Sequence, residues 1–244
     1  MANRMKLTLG TVCLLAILAW SVLLLLAPQS GPLSPYAEAN RALGPPRAGE
    51  TRVVFMGDSI TQLWGGHRPA GCGKDGDFFP SKSYLNRGIS GQTTVQMLRR
   101  FREDVVALRP SVVVLLGGIN DIAENGGKMT LEDSKDNISA MCAMARANGI
   151  RVVLCSLLPA NQFSWRPDLH PAAKVLALNA WMEHYCQLHS FVYVDYYSHM
   201  VDGKGGLRPE LEETPGSVHT NLAGYEIMTP LVEAGIAEVL KHDP

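Results

Sequence analysis

Two apolar runs of the same build constrain this chain most. Residues 52–64 read Arg-Val-Val-Phe-Met-Gly-Asp-Ser-Ile-Thr-Gln-Leu-Trp, and residues 111–121 read Ser-Val-Val-Val-Leu-Leu-Gly-Gly-Ile-Asn-Asp. Short runs of β-branched and large apolar residues with no polar alternation are what a strand buried on both faces of a parallel sheet requires. Each run stops at glycine and is followed by polar side chains, Asp58-Ser59 at once in the first and Asn120-Asp121 after one isoleucine in the second. In open α/β folds, sites form where buried strands end. Ser59 is therefore a candidate nucleophile, and Asn120 has an amide donor suited to an oxyanion hole. The plainer readings are that Asp58 and Ser59 cap the next helix and that Asn120-Asp121 is a turn-forming pair.

Shorter strand candidates follow at Ser83–Leu85, Ile150–Leu158 and Phe191–Val194. Helical spacing separates them. Met97, Leu98, Phe101, Val105 and Leu108 fall on one face of Val95–Leu108. Thr130–Asn148 opens on a capping-box pattern, Thr130 with Asp133, and is closed by Gly149. Lys174–Leu188 and a last helix running to about Leu240 complete the alternation. Strand and helix thus alternate about five times, the pattern of a parallel sheet covered by helices on both faces.

Between these elements lie loops with candidate site residues. Residues 65–80, with His67, Cys72, Phe78 and Phe79, read as a long loop near the strand ends. Residues 86–94, Asn-Arg-Gly-Ile-Ser-Gly-Gln-Thr-Thr, form a second Gly-rich loop that can present a backbone N–H. Trp165, Arg166 and His170, in the loop 161–171, could line a pocket or simply pack. His219 enters the last helix.

The N-terminus is of another kind. Leu7–Ala27 runs 21 residues without a charge, and as a helix would span about 31 Å, the thickness of a bilayer core. Arg4 and Lys6 precede it, which favours a cytoplasmic N-terminus. No small-residue cleavage site follows directly, so residues 1–27 are read as an uncleaved anchor, with a signal sequence as the alternative. On either reading the remainder is extracytoplasmic, periplasmic or secreted. Residues 28–50, rich in Pro, Gly, Ser and Ala, are read as a linker, and 51–244 as one domain with a full core. A net charge of −1 offers no basic face for nucleic acid. Of the five cysteines, Cys13 lies in the leader. Cys72, Cys142, Cys155 and Cys186 lack zinc-ligand spacing, and no metal is expected. Cys142, Cys155 and Cys186 sit in apolar patterns that suit buried thiols; disulfide pairing stays open in an oxidising compartment.

Taken together, these stretches resemble the SGNH (GDSL) hydrolase superfamily. Gly57-Asp58-Ser59 matches its first block, Gly91 its second, Gly118-x-Asn120-Asp121 its third and His219 its fifth, in order across residues 52 to 240. The words around Asn86–Thr94 and Trp165-Arg166-Pro167 look like a bacterial acylhydrolase branch. The resemblance implies a flavodoxin-like three-layer α/β/α fold and serine esterase chemistry without a cofactor. Ser59 would be the nucleophile and His219 the general base. Ser59, Gly91 and Asn120 would form the oxyanion hole. The substrate would be a small ester, a lipid or an acetylated sugar.

One position departs from the pattern. The family carries an acid three residues before the histidine, and here that position is Gly216. Glu213 or Glu212 could reach back across the Pro215-Gly216 turn. A backbone carbonyl could orient His219, leaving a Ser-His dyad in which Glu213→Gln has only a modest effect. Or the chain could be a tethered binding protein that keeps the fold with catalysis impaired.

Overall fold

A computed structural model describes residues 34–65 and 79–241 of the chain. The proposed anchor at 1–27, and with it Cys13, His67, Cys72 and Phe78, lie outside the described residues. Among those described, no helix is long and apolar enough to cross a membrane.

Five parallel strands form one sheet: β1 (Val53–Gly57), β2 (Tyr84–Gly88), β3 (Val112–Leu116), β4 (Arg151–Cys155) and β5 (Val192–Val194), in the order β2-β1-β3-β4-β5. All residues of β1 and β3 are buried, as their unbroken apolar runs require. In chain order the helices are α1 (Ala37–Leu43), α2 (Ser59–Gln62), α3 (Thr94–Asp104), α4 (Ile119–Ile122), α5 (Leu131–Ala147), α6 (Ala172–His189), α7 (Tyr197–Met200) and α8 (Leu222–Val239). Helices α3, α5 and α6 pack side by side on one face of the sheet, and α8 lies against β3, β4 and β5 on the other. This is the three-layer α/β/α fold with a flavodoxin-like strand order. The order reverses direction between β1 and β3, and the crevice beyond that reversal is where such sheets hold ligands.

Two elements differ from the sequence reading. Strand β2 does not stop at Leu85 but continues through Asn86, Arg87 and Gly88. Asn86 and Arg87 look like loop residues, yet both are buried because their polar groups find partners. Asn86 Nδ2 donates to the Thr61 carbonyl at 2.7 Å, and Arg87 Nε to Asn40 Oδ1 at 2.8 Å. The second difference is in the expected linker 28–50, where Tyr36 and Ala37 are buried and α1 is folded onto the domain. Tyr36 donates its hydroxyl hydrogen to the Gly88 carbonyl and lies beneath the Arg87 guanidinium, 4.8 Å from ring centroid to Cζ. Asn40 donates to Asp104 at 2.7 Å.

Beneath the ends of β1 and β2 these contacts meet a buried ion pair. Arg100 Nη1 lies 2.8 Å from Asp104 Oδ2, and both side chains are almost fully excluded from water. Arg100 also donates to the carbonyls of Gly57 and Arg87, the last and next-to-last residues of the two strands. Removing one partner of such a pair leaves a buried charge unmatched, which costs about 3–5 kcal/mol. Asp104→Ala is therefore expected to lower the unfolding free energy measured in urea by that amount. A loss below about 1 kcal/mol, the scale of an exposed pair, would show that the pair does not hold the strand ends.

The cysteines within the described residues, Cys142, Cys155 and Cys186, are free and buried. Burial pushes the Cys155 and Cys186 thiols up to about 12, so they are inert as nucleophiles at neutral pH.

Candidate active site

The site grows from the ends of β1, β2 and β3. Beyond β1, the chain turns directly into α2. Asp58 caps this short helix, its Oδ1 accepting the Ile60 N–H at 3.0 Å, and Ser59 is the first helical residue. A side chain at Gly57 or Gly88 would strike Thr61 or the Gln62 backbone, so glycine at both strand ends lets α2 sit tightly over the sheet. The cap and the nucleophile reading of Asp58-Ser59 are therefore compatible: one residue caps, and the next is presented.

Beyond β2, Gly91 adopts φ +76° in an open turn where an added Cβ would meet nothing. Glycine is required there by the backbone angle rather than by space. Among the described residues, no protein acceptor takes the N–H of Ser59 or of Gly91. Beyond β3, Asn120 is buried in α4. Its Nδ2 donates to the Gln92 carbonyl at 3.1 Å and lies 3.4 Å from Asp58 Oδ2, while its Oδ1 accepts from Asn125 Nδ2 at 2.6 Å. The neighbouring Asp121 does structural work instead. It accepts from the backbone and hydroxyl of Thr94 and from Ser134, tying α4 to α3 and α5.

The histidine arrives from the far end of the chain. Nε2 of His219 stands 2.8 Å from Oγ of Ser59, a contact between residues 160 positions apart. Tyr225, on α8, donates its hydroxyl hydrogen to the Ile60 carbonyl at 2.8 Å and so ties the helix after His219 to α2. The other side of the ring faces a small hairpin. Glu212 and Thr220 form an antiparallel bridge, flanked by the bonds Asn221 N–H to Leu211 O (2.8 Å) and Glu213 N–H to His219 O (3.0 Å). This register sets Glu213 opposite His219, with Oε2 3.7 Å from Nδ1. Pro215 and Gly216 occupy the turn, closed by Ser217 N–H to Thr214 O, and Gly216 takes φ +75° as the third position of a type II turn requires. Glu212 is not directed at the ring: its Oε2 accepts the Gly216 N–H at 2.9 Å.

Electrostatics divide the acids and the base. Asp58 is fully buried, and desolvation, reinforced by the charge of Asp121, raises it to about 7 against the opposing Ile60 hydrogen bond. Burial likewise raises Asp121, opposed by its bonds from Thr94 and Ser134. Burial lowers His219 below its usual value, and the charge of Glu213 partly restores it. The imidazole is thus neutral at pH 7, the state in which it accepts a proton. Among the described residues, no group of three or more His, Cys, Asp or Glu is arranged to hold a metal ion.

Of the loop 161–171, Trp165 is 44% exposed and donates its Nε1–H to Asn125 Oδ1 at 3.0 Å, and Arg166 pairs with Glu124 at 3.0 Å. His170 is exposed and stands apart from these contacts. The sequence reading missed Asn125 and Gln92, which carry no chemical signal of their own. Their place beside Asn120 follows only from the fold.

A serine and a histidine thus stand in hydrogen-bond contact at the switch point of a five-stranded α/β/α sheet, an arrangement that serine hydrolases use. The chain belongs to the GDSL-like lipase/acylhydrolase family, which it matches over residues 55–227. A GDSL-like lipase from Bacteroides thetaiotaomicron is similar in structure, with TM-score 0.76 and 42% sequence identity over 83% of this chain and 96% of that one. An acetylxylan esterase of Geobacillus stearothermophilus is 34% identical over 88 residues, 29% of this chain. An uncharacterized lipoprotein of Bacillus subtilis is 31% identical over 78 residues. The matched stretches span 40% and 32% of those two curated relatives. Family membership supports esterase or acylhydrolase chemistry for the chain.

Proposed function

We propose that the protein is a serine carboxylic ester hydrolase with Ser59 as nucleophile and His219 as general base. The observation that carries this reading is the 2.8 Å contact between His219 Nε2 and Ser59 Oγ. His219 Nε2 takes the Ser59 hydroxyl proton as Oγ bonds to the ester carbonyl carbon, giving a tetrahedral oxyanion. Collapse breaks the bond to the leaving oxygen, which receives the same proton from His219. Water then attacks the acyl-Ser59 ester, with His219 again as base, and the acid is released.

The oxyanion is held by the N–H groups of Ser59 and Gly91 and by the Asn120 amide. The first two have no protein acceptor among the described residues. The Asn120 contact with Asp58, at 3.4 Å, is long enough to yield to a substrate oxygen. Glu213 is the carboxylate that orients His219, displaced from the family position at Gly216 to the opposite arm of the hairpin. The acetylxylan esterase among the relatives favours acetyl esters of carbohydrates within the wider class of small acyl esters. The lipoprotein relative fits an extracytoplasmic setting, with residues 1–27 as the anchor.

A fluorophosphonate probe tests this directly. It is expected to add once to the protein, at Ser59, with peptide mapping as the readout, and to label His219→Ala far more slowly. A protein that stays unlabelled, under conditions that modify an ordinary serine esterase, would be a binding protein on a hydrolase fold.

A further inference from the structure

An asparagine used as an oxyanion donor has a specific weakness. Its carboxamide is nearly symmetric in shape, and a half-turn would present oxygen, not N–H₂, to the developing negative charge. On the Nδ2 side of Asn120 the Gln92 carbonyl, which only accepts, favours the donating orientation, and the Oδ1 side needs a donor that is itself held in place. Its Oδ1 accepts from Asn125 Nδ2 at 2.6 Å, but Asn125 has the same two-fold ambiguity. Asn125 Oδ1 in turn accepts from Trp165 Nε1 at 3.0 Å. An indole N–H only donates. The chain of contacts therefore has one consistent polarity: Trp165 donates to Asn125, Asn125 to Asn120, and Asn120 toward the strand ends at Gln92 and Asp58.

The tryptophan is itself anchored on two sides. Buried Phe163 lies against its ring, with centroids 5.1 Å apart, and the adjacent Arg166–Glu124 pair joins the loop to the segment that carries Asn125. Asn125 N–H also bonds the Asn120 carbonyl at 3.0 Å, so backbone and side chain fix the same two residues.

We infer that Asn125 and Trp165 are positioning residues that lock the Asn120 carboxamide with its N–H₂ toward the reacting carbonyl. The inference rests on the reading of Asn120 as an oxyanion donor. Neither residue needs to touch the substrate. Their effect is on turnover through Asn120, and it vanishes once Asn120 is gone.

That dependence gives the test, a double-mutant cycle on p-nitrophenyl acetate hydrolysis. Asn120→Ala is expected to lower kcat by about 10²–10³-fold. Asn125→Ala should lower kcat by about 10–30-fold, and Trp165→Phe, which keeps a ring but removes the donor, by about 5-fold, each with KM within twofold. In the Asn120→Ala background both substitutions should have no further effect, which a loss of folding or loop packing would not reproduce. Should Asn125→Ala fail to fold, Trp165→Phe carries the cycle alone. Single variants within twofold of the parent, or effects that multiply in the double variants, overturn the positioning role and leave the oxyanion reading standing. An unchanged kcat in Asn120→Ala itself removes that reading and this inference together.

Discussion

Ser59→Ala is expected to lower kcat on a short p-nitrophenyl ester by about 10⁶-fold, the scale found when a catalytic serine is deleted from a serine hydrolase. The substitution removes one oxygen from a buried residue at the start of α2. It leaves untouched the Asp58 cap, which bonds Ile60 rather than Ser59. The fold should therefore persist, and thermal unfolding should shift little. What goes is the atom that, on the proposed mechanism, bonds the acyl carbon while His219 takes its proton. A residual rate within about 100-fold of the parent, far above what a site without its nucleophile retains, would mean that the chemistry uses another group.

The second large effect is at Glu213. Loss of a buried triad carboxylate costs about 10⁴-fold, chiefly because the histidine adopts the wrong tautomer. Glu213 is 43% exposed and stands 3.7 Å from Nδ1, so solvent screens its charge. Glu213→Gln is accordingly expected to lower kcat/KM by about 10³-fold, short of the buried case. The pH profile supplies a second readout. His219 must be neutral to act as base, so kcat/KM falls as pH drops through its pKa, which burial sets below the ordinary histidine value. The charge of Glu213 opposes that lowering. Removing it should move the acid limb to lower pH while the plateau falls. A plateau within threefold of the parent and an unmoved limb would instead mark a Ser-His dyad.

Much of this could be read without coordinates, and the exceptions share a cause. Strands β1 and β3 announce themselves because both faces are buried and every side chain must be apolar. Ser59 and Asn120 follow from them, since a residue just past a buried strand has one place to go. Strand β2 is less legible because it lies at the sheet edge and takes up Asn86 and Arg87, whose burial depends on Thr61 and on Asn40 from α1. Helix α1 is hidden for the same reason. Seven residues in a Pro- and Gly-rich setting make a weak helix alone, and it is held by Tyr36 and Asn40 reaching Gly88 and Asp104. The carboxylate beside His219 is legible only as an ambiguity. Glu212 and Glu213 are adjacent in sequence, and strand alternation in the hairpin sends one to the turn and the other to the ring.

That hairpin has an evolutionary and practical consequence. Where acid and base lie in one short peptide, the spacing between them is frozen. On the assignment proposed above they are partners across a ladder, and the tip at 214–217 meets them through two bonds, Gly216 N–H to Glu212 and His219 N–H to Ser217 Oγ. Residues could be inserted at that tip, or an affinity tag grafted there, and Glu213 would stay beside His219 as long as those two bonds and the register of the arms were kept.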